Sequence, residues 1–123
     1  MTASARHTLT RALALALLCS LCAARARADE PPCLAECREL AQKHQLKEGV
    51  NEQGCQVTVC QEDGRLRYKE TNYTAALASL AVVEDRLATS PSFLLTRGLV
   101  YYGLGRFSDA LKDFDAILKS APD

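Results

Sequence analysis

Apolar side chains in the second half of the chain recur every three or four residues, which is the spacing of one face of a helix. The series that begins after Thr71 contains Tyr73, Ala76, Leu77, Leu80, Val83 and Leu87. It predicts a helix that ends near Ala88.

Two more helices are predicted towards the C-terminus. Ser90 and Pro91 are typical of a helix start and open a segment from Ser92 to about Leu104 that is apolar almost all round. The last helix is predicted from about Phe107 to Ser120, with charged residues, Asp113 among them, on its solvated side. Its buried side is predicted to comprise Phe107, Ala110, Leu111, Phe114, Ile117 and Leu118.

The apolar pattern occurs twice along the chain. Sliding the segment from Cys60 to Ala88 onto the segment from Leu94 to Pro122 superimposes residues of the same character. The matched pairs are Gly64 and Gly98, Tyr68 and Tyr102, Tyr73 and Phe107, Ala76 and Ala110, Leu77 and Leu111, Leu80 and Phe114. We call the common offset of these pairs, 34 residues, the repeat interval. An interval of this length predicts helical hairpins that bury their apolar faces by stacking on their neighbours. The predicted fold class is therefore all-α.

The segment from Cys55 to Lys69 supports two interpretations. Its residues Gln56 to Cys60 have strand propensity, and Gly64 lies in a turn-like sequence, which together indicate a small β-hairpin. The repeat register instead predicts a helix, because Gly64 and Tyr68 then match residues of the next helical segment. We favour the helix, since strand propensity depends strongly on context.

An earlier helix is predicted from the Pro31-Pro32 pair to about Lys47, with Gly49 ending it. Cys33, Cys37 and His44 share its apolar stripe. We interpret His44 as a core or boundary histidine, because no second histidine follows residue 28 to form a metal site with it.

Residues 1–28 are typical of a targeting segment. They contain four arginines and no acidic residue, an apolar run from Ala12 to Cys22, and an A-x-A site at Ala26 to Ala28. A cleaved signal peptide is predicted, with the mature chain beginning at Asp29, and a mitochondrial transit peptide or an uncleaved anchor is the alternative. The remainder carries 11 basic and 15 acidic residues, which is not the charge of a nucleic-acid-binding protein.

Four cysteines remain after the predicted cleavage: Cys33, Cys37, Cys55 and Cys60. In an exported chain an even number predicts disulfides, whereas a zinc site usually has tighter pairs. Residues four apart on a helix are poorly placed to bond each other, so we expect both disulfides to join the 33/37 segment to the 55/60 segment. Residues 29–54 are thus predicted to be a cysteine-containing helix and loop that precede the repeats at 55–123.

The residues from Arg97 to Pro122 resemble a tetratricopeptide repeat. The likeness rests on Gly98, Tyr101, the Gly105-Arg106-Phe107 turn, Ala110 and Pro122. A weaker copy that contains Gly64, Tyr68, Tyr73 and Ala76 precedes it, and the two copies cover residues 57–123. The resemblance implies a protein-interaction module whose first helices line a groove.

Carried onto this sequence, the resemblance places the binding residues of that groove on two helices. The candidates are Arg65, Tyr68, Lys69, Leu95, Leu99 and Tyr102. They suit a peptide or protein partner with an apolar stretch and one acidic group. The alternative is that these residues are core and face the segment from Cys33 to Lys47.

No catalytic motif, metal site or cofactor site is recognisable in the sequence, and no membrane span is expected after signal cleavage. The favoured interpretation is an exported adaptor, either periplasmic or secreted, that binds a partner through the repeat groove. An assembly subunit that docks or self-associates through its uncapped last helix is the second interpretation. A redox or metal-handling role for the four cysteines is the third.

Overall fold

The computed structural model describes residues 3–28 and 30–121, and the described chain is helical with no strand. It divides into two compact units, residues 1–30 and 31–123. The all-α prediction is confirmed. The predicted first residue of the mature chain, Asp29, and the Pro122 of the repeat pattern lie outside the described residues.

The first unit contains one helix, α1, from Ala3 to Ala28. Its leucines from Leu13 to Leu21 are exposed by 58% to 66%. None of the helices in the described residues is long and apolar enough to cross a membrane.

The second unit contains six helices in its described residues. They are α2 (Pro32–Gln42), α3 (Glu52–Lys69), α4 (Tyr73–Ala81), α5 (Glu84–Leu87), α6 (Pro91–Gly103) and α7 (Phe107–Ser120). Helices α3 and α4 pack together as one pair and α6 and α7 as the next, while α6 also packs against α4 and α3. Helix α2 packs on α3.

The segment from Cys55 to Lys69 is part of a helix, and the β-hairpin alternative is wrong. Asn51 caps the first turn of α3, because its side-chain oxygen accepts a hydrogen bond of 2.8 Å from the backbone N–H of Gly54. Helix α3 buries Cys55, Cys60 and Gly64, which lie one to three turns apart along it. The burial of these three residues by packing of the helix outweighs the local strand propensity of the segment.

Both disulfides join α2 to α3, as expected. Cys33 bonds to Cys60 and Cys37 to Cys55, with Cα–Cα distances of 5.1 and 5.8 Å. Cys33 and Cys37 are the only buried residues of α2. The two disulfides therefore fix α2 covalently against α3.

The core lies between the two helical pairs. Its fully buried residues come from both pairs: Cys60, Ala76, Leu80, Val83, Phe93 and Val100 are 0% exposed. Residues of α4 and α6 thus pack in a single apolar cluster. Stacking of one pair on the other supplies this core, because neither pair alone has enough apolar surface to bury.

The two helical pairs repeat the same close contact. A Cβ atom built on Gly64 would lie 2.6 Å from the Leu80 side chain, and one built on Gly98 would lie 2.5 Å from the Phe114 ring. The two glycines are matched positions of the repeat, and so are the two side chains that face them. Each glycine therefore permits its helix to approach the next one closely.

The turns of the two pairs also correspond. Thr71 and Gly105, which are matched positions of the repeat, both have a left-handed backbone, with φ of 59° and 74°. In both turns the residue after the left-handed one donates its backbone N–H to a carbonyl near the end of the preceding helix. Asn72 donates to Arg67 at 2.9 Å, and Arg106 donates to Tyr101 at 2.8 Å. This is the Schellman ending, in which glycine is the usual left-handed residue.

Helix α2 ends earlier than predicted. Its last residue is Gln42 rather than a residue near Lys47, because His44 adopts a left-handed φ of 52° and its neighbour Gln45 bonds back to Leu40 at 2.9 Å. His44 is exposed, so the prediction of a core or boundary position was wrong.

The helix predicted to run from Tyr73 to Ala88 is interrupted. It ends at Ala81, and the short α5 follows from Glu84. The N–H of Val83 bonds the carbonyl of Leu80, three residues back, at 3.2 Å. This tighter turn places Val83 in the core, where it is 0% exposed.

Candidate functional site

The predicted binding residues lie on α3 and α6, which are neighbours in the structure. Gln61 of α3 donates a hydrogen bond of 3.1 Å from Nε2 to the hydroxyl of Ser92 at the start of α6. Leu95 and Tyr102 of α6 are 50% and 63% exposed, and Leu99 is half-buried. Leu95 and Tyr102 are therefore surface residues of α6, and the ring of Tyr102 also contacts that of Phe107 on α7, with centroids 5.3 Å apart.

The α3 members of the predicted site behave less uniformly. Arg65 and Lys69 are exposed, and Arg65 has an acidic neighbour in Glu62, at 3.5 Å within the same helix. Tyr68 is half-buried and packs against the core, with its ring centroid 6.0 Å from that of Tyr73. Tyr68 therefore contributes mainly to packing, whereas the two cations face solvent.

The segment from Cys33 to Lys47 does not bury these residues in the described chain. Helix α2 packs on α3, with a minor contact to α4. Leu95 and Tyr102 remain at least half exposed with α2 in place. The alternative that they are core is therefore wrong for these two residues.

Helix α7 exposes a second apolar surface. We call it the α7 stripe; its members are Phe107, Leu111, Phe114 and Leu118. Phe107, Leu111 and Leu118 are 61%, 59% and 71% exposed, although all three were predicted to be buried. Phe114 is half-buried. The apolar spacing predicted the helix correctly, but it could not show how much of its wide apolar face is covered.

The side of α7 that faces α6 is partly polar. Only Ala110 and Asp113 of α7 are buried, at 2% and 4% exposure, so the prediction that Asp113 is solvated was wrong. Arg97 explains the burial of Asp113, because its Nε and Nη2 donate to both carboxylate oxygens at 2.8 and 2.7 Å. Its Nη1 also donates to Glu84 at 2.8 Å.

Arg97 joins three elements through this cluster. Its guanidinium carbon lies 5.1 Å from the ring centroid of Phe93 and 5.8 Å from that of Tyr101. The hydrogen bonds to Asp113 raise the pKa of Arg97 above its ordinary value, against the desolvation that lowers it. Because these contacts hold α5, α6 and α7 together, we assign Arg97 a structural role.

A hollow of about 500 Å³ lies where α2 and the following loop meet α3. Leu40, Leu46, Val50 and Val59 form its apolar wall, and Lys47 lies at it too. None of the six predicted binding residues lines this hollow.

The described residues show no group of three or more His, Cys, Asp or Glu side chains that could hold a metal ion. Every buried side-chain nitrogen and oxygen in the described part of the chain has a hydrogen-bond partner. The surface formed by Leu95, Leu99 and Tyr102 therefore offers exposed apolar area, and the neighbouring helix α3 carries the positive charges of Arg65 and Lys69.

Comparison with protein-family models, curated proteins and solved structures found no match to this chain.

Proposed function

We propose that the chain is an exported protein-interaction module made of two helical repeats of the tetratricopeptide type. The glycine contacts, turns and aromatic pairs that recur at matched positions support the repeat interpretation. The single observation that carries the binding function is the exposure of Leu95 and Tyr102 on α6 beside α3. Apolar side chains that lie exposed together on one surface are typical of interaction sites.

The partner in this proposal is a peptide or protein segment that lies along α6. Leu95, Leu99 and Tyr102 contact its apolar side chains, and an acidic residue pairs with Arg65 or Lys69 on α3. The charge supports this, because Arg65 has only a weak acidic neighbour in its own helix and Lys69 is exposed at the end of α3. An exposed pair of this kind contributes specificity more than affinity.

Export in this proposal begins with cleavage of residues 1–28, and the product is periplasmic or secreted, with mitochondrial import as the alternative. Two disulfides are compatible with an oxidising compartment, where such bonds form and persist. Sequencing the N-terminus of the exported protein tests this step. A mature start at Asp29 supports it, and a retained α1 contradicts it.

The binding surface is tested by affinity capture with two matched variants. Leu95→Glu places a charge in the proposed contact, whereas Leu66→Glu changes an equally exposed leucine, 48% against 50%, at a position outside it. We expect a partner that is captured from exported proteins by the wild type and by Leu66→Glu but lost with Leu95→Glu. If every captured protein is indifferent to Leu95→Glu, the proposed surface is wrong.

A second candidate function is assembly through α7, either by docking on another protein or by self-association. The exposure of Phe107, Leu111 and Leu118 favours it. Sedimentation over a concentration series tests self-association directly. A concentration-dependent dimer that Leu118→Glu abolishes supports it, and a monomer at every concentration excludes self-association while leaving docking.

The third interpretation, redox or metal handling, has no specific observation in its favour, since all four cysteines of the second unit are joined in disulfides.

A further inference from the structure

The α7 stripe has a covered counterpart within the same chain. The matched positions one repeat interval earlier are Tyr73, Leu77 and Leu80 on α4 and, for Leu118, the exposed Glu84 at the start of α5. Leu80 is 0% exposed, and Tyr73 and Leu77 are half-buried against the core. The part of this face formed by Tyr73, Leu77 and Leu80 is thus covered on the first helical pair, whereas its counterpart on α7 is largely open.

Helix α6 covers part of this face on α4, and Leu80 also lies against Gly64 of α3. A Cβ atom built on Gly103 of α6 would lie 2.6 Å from the ring of Tyr73, so the glycine permits close packing there. Phe93 and Val100, also of α6, are 0% exposed in the cluster that contains Leu80. The chain therefore contains a complete example of what fits this kind of face: a helix with a glycine over the aromatic ring and large apolar residues in the preceding turns.

We propose that the α7 stripe binds an α-helix of a partner protein, which lies on α7 as α6 lies on α4. This inference rests on the second candidate function and specifies its partner. The partner helix has a small residue over Phe107 and large apolar residues one to three turns away, with no charge on the contacting side. The stripe itself contains no charged residue, so a charged helix face would be desolvated there without a partner.

A second copy of this chain is a poor occupant. Its α6 is already packed in its own fold, and the helix that corresponds to α6 in register is α3. Lys69 of α3 stands where α6 has Gly103, and Glu62 stands where α6 has Thr96. Docking of α3 would place the Lys69 side chain against Phe107 and bury both charges. Neither α6 nor α3 of a second copy is therefore suited to cover the α7 stripe.

The test uses α6 itself as the probe. A labelled peptide with the sequence of residues 90–104 and a solubilising lysine tail is titrated against the full chain with both disulfides formed, followed by fluorescence anisotropy. We expect saturable one-to-one binding that Leu111→Glu weakens by at least about tenfold, the size of a central contact. Leu66→Glu is the matched control and leaves binding unchanged.

A peptide variant tests the geometry independently of the protein's folding. Gly103→Leu in the peptide adds a side chain where the Phe107 ring must lie, so we expect it to lose at least about tenfold in affinity. Far-UV circular dichroism and disulfide mapping establish that Leu111→Glu and Leu66→Glu are folded.

Three results would overturn the proposal. The first is no saturable binding of the peptide by the folded wild type. The second is equal binding by the Gly103→Leu peptide, which would remove the geometric argument. The third is self-association of the full chain that Leu111→Glu abolishes and Leu66→Glu does not, since that identifies a second copy as the occupant of the α7 stripe.

The peptide probe also separates this proposal from the others. A chain that stays monomeric yet binds the peptide supports docking of a partner and not self-association. The two experiments depend on different substitutions, Leu111→Glu here and Leu95→Glu in the capture experiment, so a negative result in one leaves the other standing.

Discussion

Alanine at Gly64 and at Gly98 is expected to affect stability unequally, although the two glycines occupy matching positions. Each substitution gains about 1 kcal/mol of helix propensity and incurs an overpacking cost of about 1–3 kcal/mol. The outcome depends on whether the facing side chain can move away from the new methyl group.

Leu80, which faces Gly64, cannot move easily. It is 0% exposed, and the added Cβ would lie 2.7 Å from its Cγ as well as 2.6 Å from Cδ2. Rotation about χ2 moves the methyl groups but not Cγ, so α3 and α4 must separate. Phe114, which faces Gly98, is half-buried and meets the added Cβ with a ring edge that can turn towards solvent.

We therefore expect Gly64→Ala to destabilise the fold by about 1–2 kcal/mol and Gly98→Ala to be neutral within about 0.5 kcal/mol. Urea denaturation of the oxidised protein, followed by far-UV circular dichroism, measures both free energies of unfolding. Wild type and the two variants are compared at the same protein concentration, because association through α7 would otherwise add to the apparent stability. Equal losses, or a larger loss at Gly98, would refute the reasoning.

Three further predictions concern the disulfides, the buried ion pair and the α7 stripe. Removing the Cys33–Cys60 bond, whose cysteines are 27 residues apart, by alanine at both positions should cost about 3 kcal/mol of unfolding free energy in urea. Arg97→Met leaves the carboxylate of Asp113, whose side chain is 6% exposed, without its partner. It should lower the free energy of unfolding by about 2–4 kcal/mol, which is measured as a lower thermal midpoint. Leu118→Ser, at a position that is 71% exposed, should change stability by less than about 0.5 kcal/mol in the monomer, and a loss above about 1 kcal/mol would mean that the residue is covered.

The sequence predicted the fold class, favoured the helix at 55–69, and predicted that both disulfides join the 33/37 segment to the 55/60 segment, but it left open which cysteines pair. The decision for α3 came from the repeat register, which places Gly64 in the position of Gly98. That register reflects tertiary packing, so it was a better guide than the strand propensity of residues 56–60. Helix geometry predicted only that the bonds run between the two segments, because two cysteines four residues apart on α2 face a second helix more easily than each other. The structure shows which pair forms: Cys33 with Cys60 and Cys37 with Cys55.

Burial on α7 could not be predicted, because it depends on what lies against the helix. Leu77 and Leu111 are the same residue in matching positions, yet Leu77 is half-buried against the core and Leu111 is 59% exposed. The difference lies in what packs on each helix: α4 packs against both α3 and α6, whereas α7 packs against α6.

The spacing of apolar residues also did not predict the burial of Asp113 or the end of α2 before His44. Asp113 is charged and was predicted to be solvated, and only its contact with Arg97 on the preceding helix explains its burial. His44 ends α2 in a left-handed conformation that glycine or asparagine usually adopts, so no breaker residue marked the boundary. Local sequence does not encode either feature.

The central claim is that two helical pairs repeat one packing arrangement, with each glycine facing a large side chain on the next helix. Nuclear Overhauser contacts in the labelled, oxidised protein test it most directly. The account predicts strong contacts from the Gly64 Hα protons to the Leu80 methyl groups and from the Gly98 Hα protons to the Phe114 ring. Presence of one set without the other, or contacts of either glycine to a different helix, would contradict it.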